Sequence, residues 1–461
     1  MDRHHQDLAR EHLMLHFTDM AELAEHGVPM IVRGEGVRVI DEDGAAYIDG
    51  LSGLYCTNLG HSFGDEIGAA AHEQMKELPF VSNWTIAHPR AVELAAKVAE
   101  LAPPSLNRAF FTSGGSESVE AAWKLARQWH QANGEPYRRK AIARRYAYHG
   151  TTLGALSFTG ISSMKTMFEP LPVPVHHVSN TNAYRHPAGA DESAFTQALL
   201  DEIEEVIEFE TPETVAMIIA EPVQNAGGSI PPPAGYWQGL REICDRYGIL
   251  LCSDEVICAW GRLGDWYGAN RLGYEPDLLT FAKGLTSAHF AMGGVLLSDK
   301  VAAPFLAGDA YYMHGMTFGG HPVGSTVALK NIEIMEREGI LDHVLELEPY
   351  VQAGMERLMA EHPIIGNVRG MGFFWSMELV KDRETREPVA GPEGEKFLSE
   401  ILSPRIKHNG LICRLDDRAD PAVQLAPPLV STKADFDEIF AAIGEALDYA
   451  SARAPWDAVR A

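Results

Sequence analysis

The sequence has no long hydrophobic run and no cluster of positive charge. Its longest apolar stretches, 215–220 and 249–252, fall far short of the roughly 20 residues that a membrane-spanning helix needs. Asp and Glu number 64 against 38 Lys and Arg, which gives a formal net charge of -26. Nucleic acids and anionic membranes bind clustered cations, so this balance argues against both partners. We therefore expect a protein that contacts neither.

Cysteine is scarce, and its spacing argues against disulfides and metal sites. The chain has 5 cysteines, an odd number, with no CxxC pair and no Cys/His ligand spacing. They are scattered and lie mostly in apolar runs: Cys56, Cys244, Cys252, Cys258 and Cys413. We interpret them as reduced, buried side chains. The polar, His-rich stretch 1–11 lacks an apolar signal core and the composition of a transit peptide, which predicts a cytoplasmic protein.

The chain does contain enough apolar residues for a large core, because 46% of its 461 residues are hydrophobic. From about residue 90 onward, helical patterns alternate with short apolar strands. The helical patterns cover 90–101, 116–130 and 236–247, and the strands cover 108–112, 141–146, 215–220, 249–253 and 278–282. This alternation is typical of an α/β fold with a largely parallel sheet.

The two ends of the chain have a different pattern. Apolar alternation at 36–49, with an Asp-Gly turn at its centre, predicts a hairpin near the N-terminus. Near the C-terminus, a long helical pattern at 323–339 is followed by strands near 372–379 and 411–414. These patterns predict a second, smaller domain.

Charged side chains end two of the predicted strands. Asp254 follows strand 249–253, and Lys283 follows strand 278–282. Ligands of open parallel sheets bind at the carboxyl ends of the strands. A carboxylate buried there needs a cation such as a protonated pyridine nitrogen, and burial favours the free amine of a lysine. Taken singly, a structural ion pair and a surface lysine are the alternative interpretations.

Two further features follow the neighbouring strands. Gly115 and Ser116 open a helix, where backbone N–H groups and the positive end of the helix dipole favour a phosphate. Tyr148 places an aromatic ring where a planar cofactor stacks. An ordinary helix cap and a core tyrosine are the alternatives. Together with Asp254 and Lys283, these features predict pyridoxal 5'-phosphate held as a Schiff base, and hence an enzyme that acts on amines.

These residues, with the motifs at 221–224 (Glu-Pro-Val-Gln), 260–262 (Trp-Gly-Arg) and 317–322 (Thr-Phe-Gly-Gly-His-Pro), resemble the class III aminotransferases. This family is a subgroup of the fold type I pyridoxal-phosphate enzymes. The likeness runs from Arg33-Gly34-Glu35-Gly36 to Ala426-Pro427-Pro428-Leu429 and covers nearly the whole chain. It implies a large domain at 61–324, with a mostly parallel sheet flanked by helices. It also implies a smaller α+β domain at 325–461. The N-terminal segment 1–60 contributes to this small domain and caps the active site.

The resemblance also assigns roles to single residues. Lys283 forms the Schiff base, Asp254 binds the pyridine nitrogen, and Tyr148 and Val256 pack on opposite faces of the ring. The remaining residues implied for the cofactor are Gly115 and Ser116 at the phosphate, together with His149 and Glu221. Members of the family are homodimers or dimers of dimers, and the residue matching Thr317 reaches the phosphate of the neighbouring subunit.

The end of the site that binds substrate resembles that of the pyruvate-dependent ω-aminotransferases. There, an arginine before the Ala-Pro-Pro-Leu motif binds the keto-acid carboxylate, and Arg414 is its match. Arg418 is the second candidate because the loop 415–421 is longer than expected. Tyr55, Trp84 and Ala226 are the candidate pocket residues. The alternatives are a surface arginine and core aromatic residues.

The sequence thus predicts ping-pong transamination through Lys283, from an amine or ω-amino acid donor to a keto acid, with pyruvate preferred. Three alternatives remain open. One is a class III enzyme that uses 2-oxoglutarate, with a diamine or ω-amino acid as the donor. Another is an aminomutase or decarboxylase with the same cofactor, and the third is a binding protein that has kept the fold and lost the chemistry.

Overall fold

The computed structural model describes residues 3–308 and 310–456. Its α-helices, in chain order, are α1 Arg3–His12, α2 Met20–His26, α3 Ser52–Tyr55, α4 Gly64–Glu77, α5 Pro89–Glu100, α6 Gly115–Ala132, α7 Leu153–Phe158, α8 Ser162–Lys165, α9 Glu192–Phe209, α10 Tyr236–Tyr247, α11 Gly268–Leu272, α12 Asp299–Ala307, α13 Pro322–Arg337, α14 Ile340–Glu361, α15 Gly391–Lys396, α16 Ser403–His408 and α17 Lys433–Ser451. None of the described helices combines the length and apolar character that crossing a membrane requires.

The strands form three sheets. They are β1 Ile31–Glu35, β2 Arg38–Asp41, β3 Ala46–Asp49, β4 Leu106–Thr112, β5 Lys140–Arg144, β6 Val175–Val178, β7 Val215–Ala220, β8 Leu250–Asp254, β9 Leu278–Phe281, β10 Gly293–Ser298, β11 Ile365–Met371, β12 Phe374–Asp382, β13 Glu387–Pro388, β14 Leu411–Ile412, β15 Arg414–Asp416 and β16 Ala422–Leu425.

The central sheet has seven strands in the order β4, β10, β9, β8, β7, β5, β6. Strands β9, β8, β7, β5 and β6 are parallel, whereas β10 runs antiparallel to both of its neighbours. Every residue of β7, β8 and β9 is buried, as expected for parallel strands covered by helices on both faces. The prediction of an α/β fold with a largely parallel sheet is confirmed.

The other two sheets are smaller. Strands β1, β2 and β3 form the predicted N-terminal hairpin region and pair with the C-terminal strand β14, so the two ends of the chain share one sheet. Strands β11, β12, β16 and β15 form the third sheet, and β13 pairs with β12. The domain boundaries at residues 60 and 324 stay predictions, and the outer ends 1–2 and 457–461 lie outside the described residues.

One predicted strand is wrong. The apolar run at 411–414 is divided between two sheets, because Leu411 and Ile412 pair with β3 while Arg414 pairs with Gln424 on β16. The chain crosses from one sheet to the other at Cys413, which is in neither strand. This crossing places Arg414 in a hairpin, β15 to β16, whose connecting loop spans residues 417–421.

Candidate active site

Lys283 lies directly beyond the buried strand β9, in the one-turn helix Lys283–Thr286. Its backbone has a φ of 45°, a left-handed conformation that is uncommon for a residue with a side chain and that often marks functional sites. Burial lowers the pKa of Lys283 below its usual range, which favours the neutral, nucleophilic amine. Among the described residues, no carboxylate forms an ion pair with its Nζ, which lies 5.7 Å from the centre of the Tyr55 ring.

Asp254 ends β8 next to Lys283 and is 3% exposed. Its Oδ1 accepts hydrogen bonds from Thr280 Oγ1 at 3.0 Å and from the Val256 backbone N–H at 3.1 Å. Its Oδ2 lies 2.6 Å from His149 Nδ1. The sequence suggested that a carboxylate here needs a partner, and the structure provides an imidazole together with two neutral donors. The buried carboxylate is therefore fixed in position by the protein itself.

Gly115 and Ser116 form the first turn of α6, directly after β4. The N–H groups of a first turn have no partner within the helix and are available to an anion. Space here is limited: a Cβ on Gly115 would lie 2.9 Å from Val256 Cγ1, and one on Gly150 would lie 2.3 Å from Ser116 Oγ. The glycines thus allow the helix start, the segment carrying Tyr148 and the segment carrying Val256 to approach one another closely.

Glu221 connects these segments from the end of β7. Its Oε1 accepts a hydrogen bond from the Tyr148 backbone N–H at 3.3 Å, and its Oε2 accepts one from the Asn225 N–H at 2.9 Å. Burial raises the pKa of Glu221, while the neighbouring His149 side chain and the Arg144 guanidinium act in the opposite direction. Glu221 therefore joins the Tyr148 segment to the loop that carries Ala226.

Tyr55 belongs to a small buried apolar cluster with Val223 and Ala426. Ala226 is also buried and follows Asn225, whose carbonyl accepts a hydrogen bond from Gln424. The Tyr55 hydroxyl donates a hydrogen bond to Gln424 Oε1, and burial raises the pKa of Tyr55 to about 12. Arg414 lies beside the same hydroxyl and favours its ionised form. Among the described residues, Arg414 forms no ion pair with a carboxylate.

Arg418 also faces the site, from the loop after β15. Its guanidinium carbon lies 5.9 Å from the centre of the Tyr148 ring, and its charge contributes to the lowered pKa of Lys283. Asp416 binds it through two contacts, Nε to Oδ1 at 2.8 Å and Nη2 to Oδ2 at 2.5 Å. The sequence reasoning missed Asp416, although an acidic residue two positions before a candidate arginine in a hairpin was an available signal.

Two predicted site residues lie elsewhere in the single chain. Trp84 is 67% exposed and its Nε1 lies 3.4 Å from the Met316 carbonyl, so it lines a separate groove together with Tyr311–Met316. Thr317 is exposed in the same stretch between α12 and α13. The structure therefore brings together Lys283, Asp254 and their neighbours, whereas Trp84 and Thr317 lie in an exposed region that packs against the end of β4 at Phe111.

The mostly parallel sheet, with a lysine, a carboxylate and a helix start at its carboxyl edge, defines a fold type I pyridoxal-phosphate-dependent transferase. Comparison with known proteins gives the family. The model of the family Aminotransferase class-III matches residues 21–447. The chain therefore belongs to the class III aminotransferases.

Individual relatives agree with this assignment. The chain is 48% identical to a probable aminotransferase of Mycobacterium tuberculosis, over 93% of this chain and 91% of that protein. It is 37% identical to a putrescine–pyruvate aminotransferase of Pseudomonas aeruginosa, over 98% of this chain and 97% of the relative. A crystal structure of a thermostable (S)-enantioselective ω-transaminase from Thermomicrobium roseum superimposes with a TM-score of 0.93 at 38% identity, covering 97% of this chain and 99% of that one.

Class III aminotransferases depend on pyridoxal 5'-phosphate, and the residues described above fit this cofactor. The buried carboxylate of Asp254 suits a protonated ring nitrogen, and the glycine-lined start of α6 suits a phosphate. His149 Nε2 is buried without a hydrogen-bond partner among the described residues, although Nδ1 is bound to Asp254. The predicted cofactor is thus the cofactor of the family.

Proposed function

We propose that this aminotransferase transfers the amino group of an amine or ω-amino acid to pyruvate in two half-reactions. Pyridoxal phosphate, when bound, supplies an electron-withdrawing ring that stabilises the charge left when the donor carbon loses a proton. In the first half-reaction the donor becomes a carbonyl compound, and in the second pyruvate becomes alanine. One amine and one pyruvate are consumed for each carbonyl product and alanine formed.

Lys283 has two tasks in this proposal. Its Nζ would hold the cofactor covalently at rest and, when free, would take the proton from the donor carbon. The lowered pKa of Lys283 supports both tasks, because a neutral amine is a nucleophile and a base. Asp254 would hold the ring nitrogen, and Gly115 and Ser116 would hold the phosphate. Tyr148 and Val256 would pack on the ring, while His149 and Glu221 hold Asp254 and the Tyr148 backbone in place.

The observation that carries the choice of acceptor is the charge at the Tyr55 end of the site. Two guanidinium groups, Arg414 and Arg418, and one carboxylate, Asp416, lie there. Because Asp416 compensates Arg418, one positive charge remains, and it suits one carboxylate. Pyruvate has one carboxylate and 2-oxoglutarate has two. We assign the carboxylate-binding role to Arg414, since it has no ion-pair partner among the described residues.

2-Oxoglutarate is the second candidate acceptor, because two arginines lie at the Tyr55 end of the site. If Arg418 left Asp416, two guanidinium groups would be free for two carboxylates. That exchange would leave Asp416 buried without its bidentate partner, which is costly. We therefore place pyruvate first.

Kinetics of the purified enzyme test this proposal. A panel of uncharged amines, diamines and ω-amino acids is incubated separately with pyruvate and with 2-oxoglutarate. We expect alanine to form in equal amount to the carbonyl product, and the KM for pyruvate to be the lower one. Turnover without an acceptor would instead indicate an aminomutase or a decarboxylase. No loss of the cofactor's visible absorbance on adding any amine would indicate a binding protein.

Two arginine variants test the carboxylate site. We expect Arg414→Gln to raise the KM for pyruvate at least about tenfold, because a charge-assisted hydrogen bond is lost. The half-reaction with an uncharged amine should stay within about twofold. Arg271→Gln, which removes an ion pair with Glu348 on the surface, is the control. An unchanged KM in Arg414→Gln together with a raised KM in Arg418→Gln would move the assignment to Arg418.

We further propose that a second copy of the chain completes each site, through Thr317 at the phosphate and Trp84 at the pocket. The support is the exposure of both residues, on a surface that also bears the exposed side chains of Tyr311, Met313 and Phe318. Mixing Lys283→Ala with Thr317→Asp tests this arrangement. One site of a mixed dimer would hold both native residues, so activity should reappear on mixing. Failure to recover activity in verified mixed dimers would contradict it.

A further inference from the structure

Glu378 is a buried carboxylate that joins several parts of the chain. It lies on β12, and its side chain is 0% exposed. Its Oε1 accepts a hydrogen bond from Arg185 Nε at 2.6 Å. Its Oε2 accepts hydrogen bonds from Arg369 Nη1 at 2.5 Å and from Asn182 Nδ2 at 3.2 Å. Two arginines are therefore oriented by one buried charge, and each of them contacts a different loop.

Arg369 connects Glu378 to the turn that follows Ala226. Its Nε donates to the Gly228 carbonyl at 2.7 Å, and its Nη2 donates to the Gly227 carbonyl at 2.6 Å. Both glycines have a φ near +90°, at 88° and 91°. Because a Cβ on Gly228 would lie 2.9 Å from the Ala422 Cβ, this turn packs directly against the first residue of β16.

Arg185 connects Glu378 to the hairpin that carries the two candidate arginines. Its Nε lies 3.2 Å from Asp420 Oδ2, in the loop between β15 and β16. Glu378 also pairs with Ala422, the first residue of β16, in the backbone register. The loop that contains Arg418 is thus anchored at its far end through Asp420 and Ala422.

The two connections meet at Gln424. Its Nε2 donates to the Asn225 carbonyl at 3.0 Å and to Ser229 Oγ at 3.1 Å, while its Oε1 accepts from Tyr55. In the backbone register Gln424 is the partner of Arg414. The turn after Ala226 and the arginine hairpin therefore form one wall of the site, with Glu378 behind it.

We propose that Glu378, acting through Arg369 and Arg185, is a positioning residue for the wall that binds the keto-acid carboxylate. This inference rests on the proposed function. The inference predicts that the charge of Glu378 is needed for high affinity for the acceptor. The half-reaction with an amine that has no carboxylate should proceed without this charge. Removing the charge leaves the buried guanidinium group of Arg369 and the partly buried one of Arg185 without their shared partner, so the Gly227–Gly228 turn and the loop 417–421 lose a common anchor.

Kinetics of Glu378→Gln test the inference, since the substitution keeps the shape and removes the charge. We expect the KM for pyruvate to rise about tenfold, because a misplacement of about 1 Å costs that much or more, while the half-reaction with 1-phenylethylamine changes less than about twofold. Asp277→Asn is the matched control. Asp277 is also a buried carboxylate with two cationic partners, Arg241 and Lys300, but it precedes β9 at the edge of the sheet opposite to Lys283.

Asp420→Asn is the milder variant, and it tests the same inference if Glu378→Gln does not fold. It removes only the contact with Arg185, and we expect the KM for pyruvate to rise about threefold. An unchanged KM in the folded variants would overturn the inference. The same would hold if the acceptor KM and the rate of the amine half-reaction deteriorated together in Glu378→Gln, or if Asp277→Asn raised the acceptor KM as much as Glu378→Gln does.

Amide hydrogen exchange provides a readout that does not depend on turnover. In the enzyme without substrate, exchange at residues 226–229 and 417–421 should accelerate in Glu378→Gln and remain unchanged in Asp277→Asn. Unchanged exchange in both segments would contradict the proposal that Glu378 anchors them. If exchange accelerated but the enzyme transaminated no keto acid, the proposed function would be wrong. The structural role of Glu378 as an anchor would still be supported.

Discussion

His149 Nδ1 lies 2.6 Å from Asp254 Oδ2, and both side chains are buried. Together with the hydroxyl of Thr280 and the N–H of Val256, the imidazole fixes the carboxylate before any ligand arrives. A preorganised charge costs no reorganisation when a cation binds to it. The relationship between these two residues therefore holds Asp254 in place for the role that we propose, as the partner of the ring nitrogen.

Replacing Asp254 with Asn tests this role. We expect kcat/KM for any amine to fall at least about 100-fold, because a neutral amide stabilises a protonated ring nitrogen poorly. The protein should still bind the cofactor through the start of α6, which its absorbance spectrum checks. Asp277→Asn serves again as a control with a buried carboxylate away from the site. A wild-type rate in Asp254→Asn would contradict the assignment.

Lys283→Ala should abolish the covalent attachment of the cofactor. Borohydride reduction followed by mass spectrometry should find the cofactor on the peptide containing Lys283 in the wild type and on no peptide in the variant. The rate of the amine half-reaction should fall by about 10²–10⁴-fold, the usual contribution of a general base. Lys330→Ala, on the surface of α13, is the control. Turnover at the wild-type rate in Lys283→Ala would refute the role of this lysine.

Gly150→Ala should weaken cofactor binding through Ser116. The added Cβ would lie 2.3 Å from Ser116 Oγ and 3.0 Å from the Ala155 Cβ, so the serine must move. We expect the dissociation constant of pyridoxal phosphate to rise about tenfold, the equivalent of one lost hydrogen bond to a charged group. Gly134→Ala is the matched control, because Gly134 also has a positive φ, of 80°, with open space around it. Equal affinities in the two variants would show that the contact with Ser116 does not control cofactor binding.

The sequence was sufficient to predict that the strand ends carrying Asp254 and Lys283 lie side by side, whereas the roles of these residues stay predictions. Lys283 and Asp254 end apolar strands, and the register of the sheet brings such ends together without further information. Gly115 and Ser116 were found for a similar reason, since a strand that runs directly into a helix is visible in the hydrophobic pattern. Local pattern and global geometry coincide at this edge of the sheet.

The wall around Arg414 could not be predicted in the same way. Asp416, Gln424 and Glu378 act through contacts between segments far apart in the chain, such as the hydrogen bond from Tyr55 to Gln424, 369 residues away. The crossing at Cys413 is also hidden, because no glycine, proline or turn residue separates Ile412 from Arg414, and the two sides differ in the strand with which they pair. Register between distant strands decides these contacts, and a single sequence does not display it.

Glu255 gives the chain a pH-dependent stability that can be measured apart from activity. Its carboxylate is fully buried and accepts hydrogen bonds from the N–H groups of Gly268 and Ala269, both at 2.7 Å. Burial raises the pKa of Glu255 from 4.5 to about 7. Between these two pH values the folded chain binds more protons at this site than the unfolded chain does. The contribution of Glu255 to the free energy of unfolding is therefore complete below pH 4.5 and is lost as the pH rises through about 7.

Glu255→Gln removes this titration, so the variant should lack that part of the pH dependence. Urea unfolding at pH 4.5 and at pH 8 gives the stability of each protein. We subtract the free energy of unfolding of the variant from that of the wild type. This difference should fall by about 3 kcal/mol from pH 4.5 to pH 8, because each unit of pKa shift corresponds to about 1.4 kcal/mol. Comparing the two proteins cancels the titration of all other groups. A difference that stays constant with pH would mean that the three hydrogen-bond donors around Glu255, which include Ser253, keep it ionised against the effect of burial.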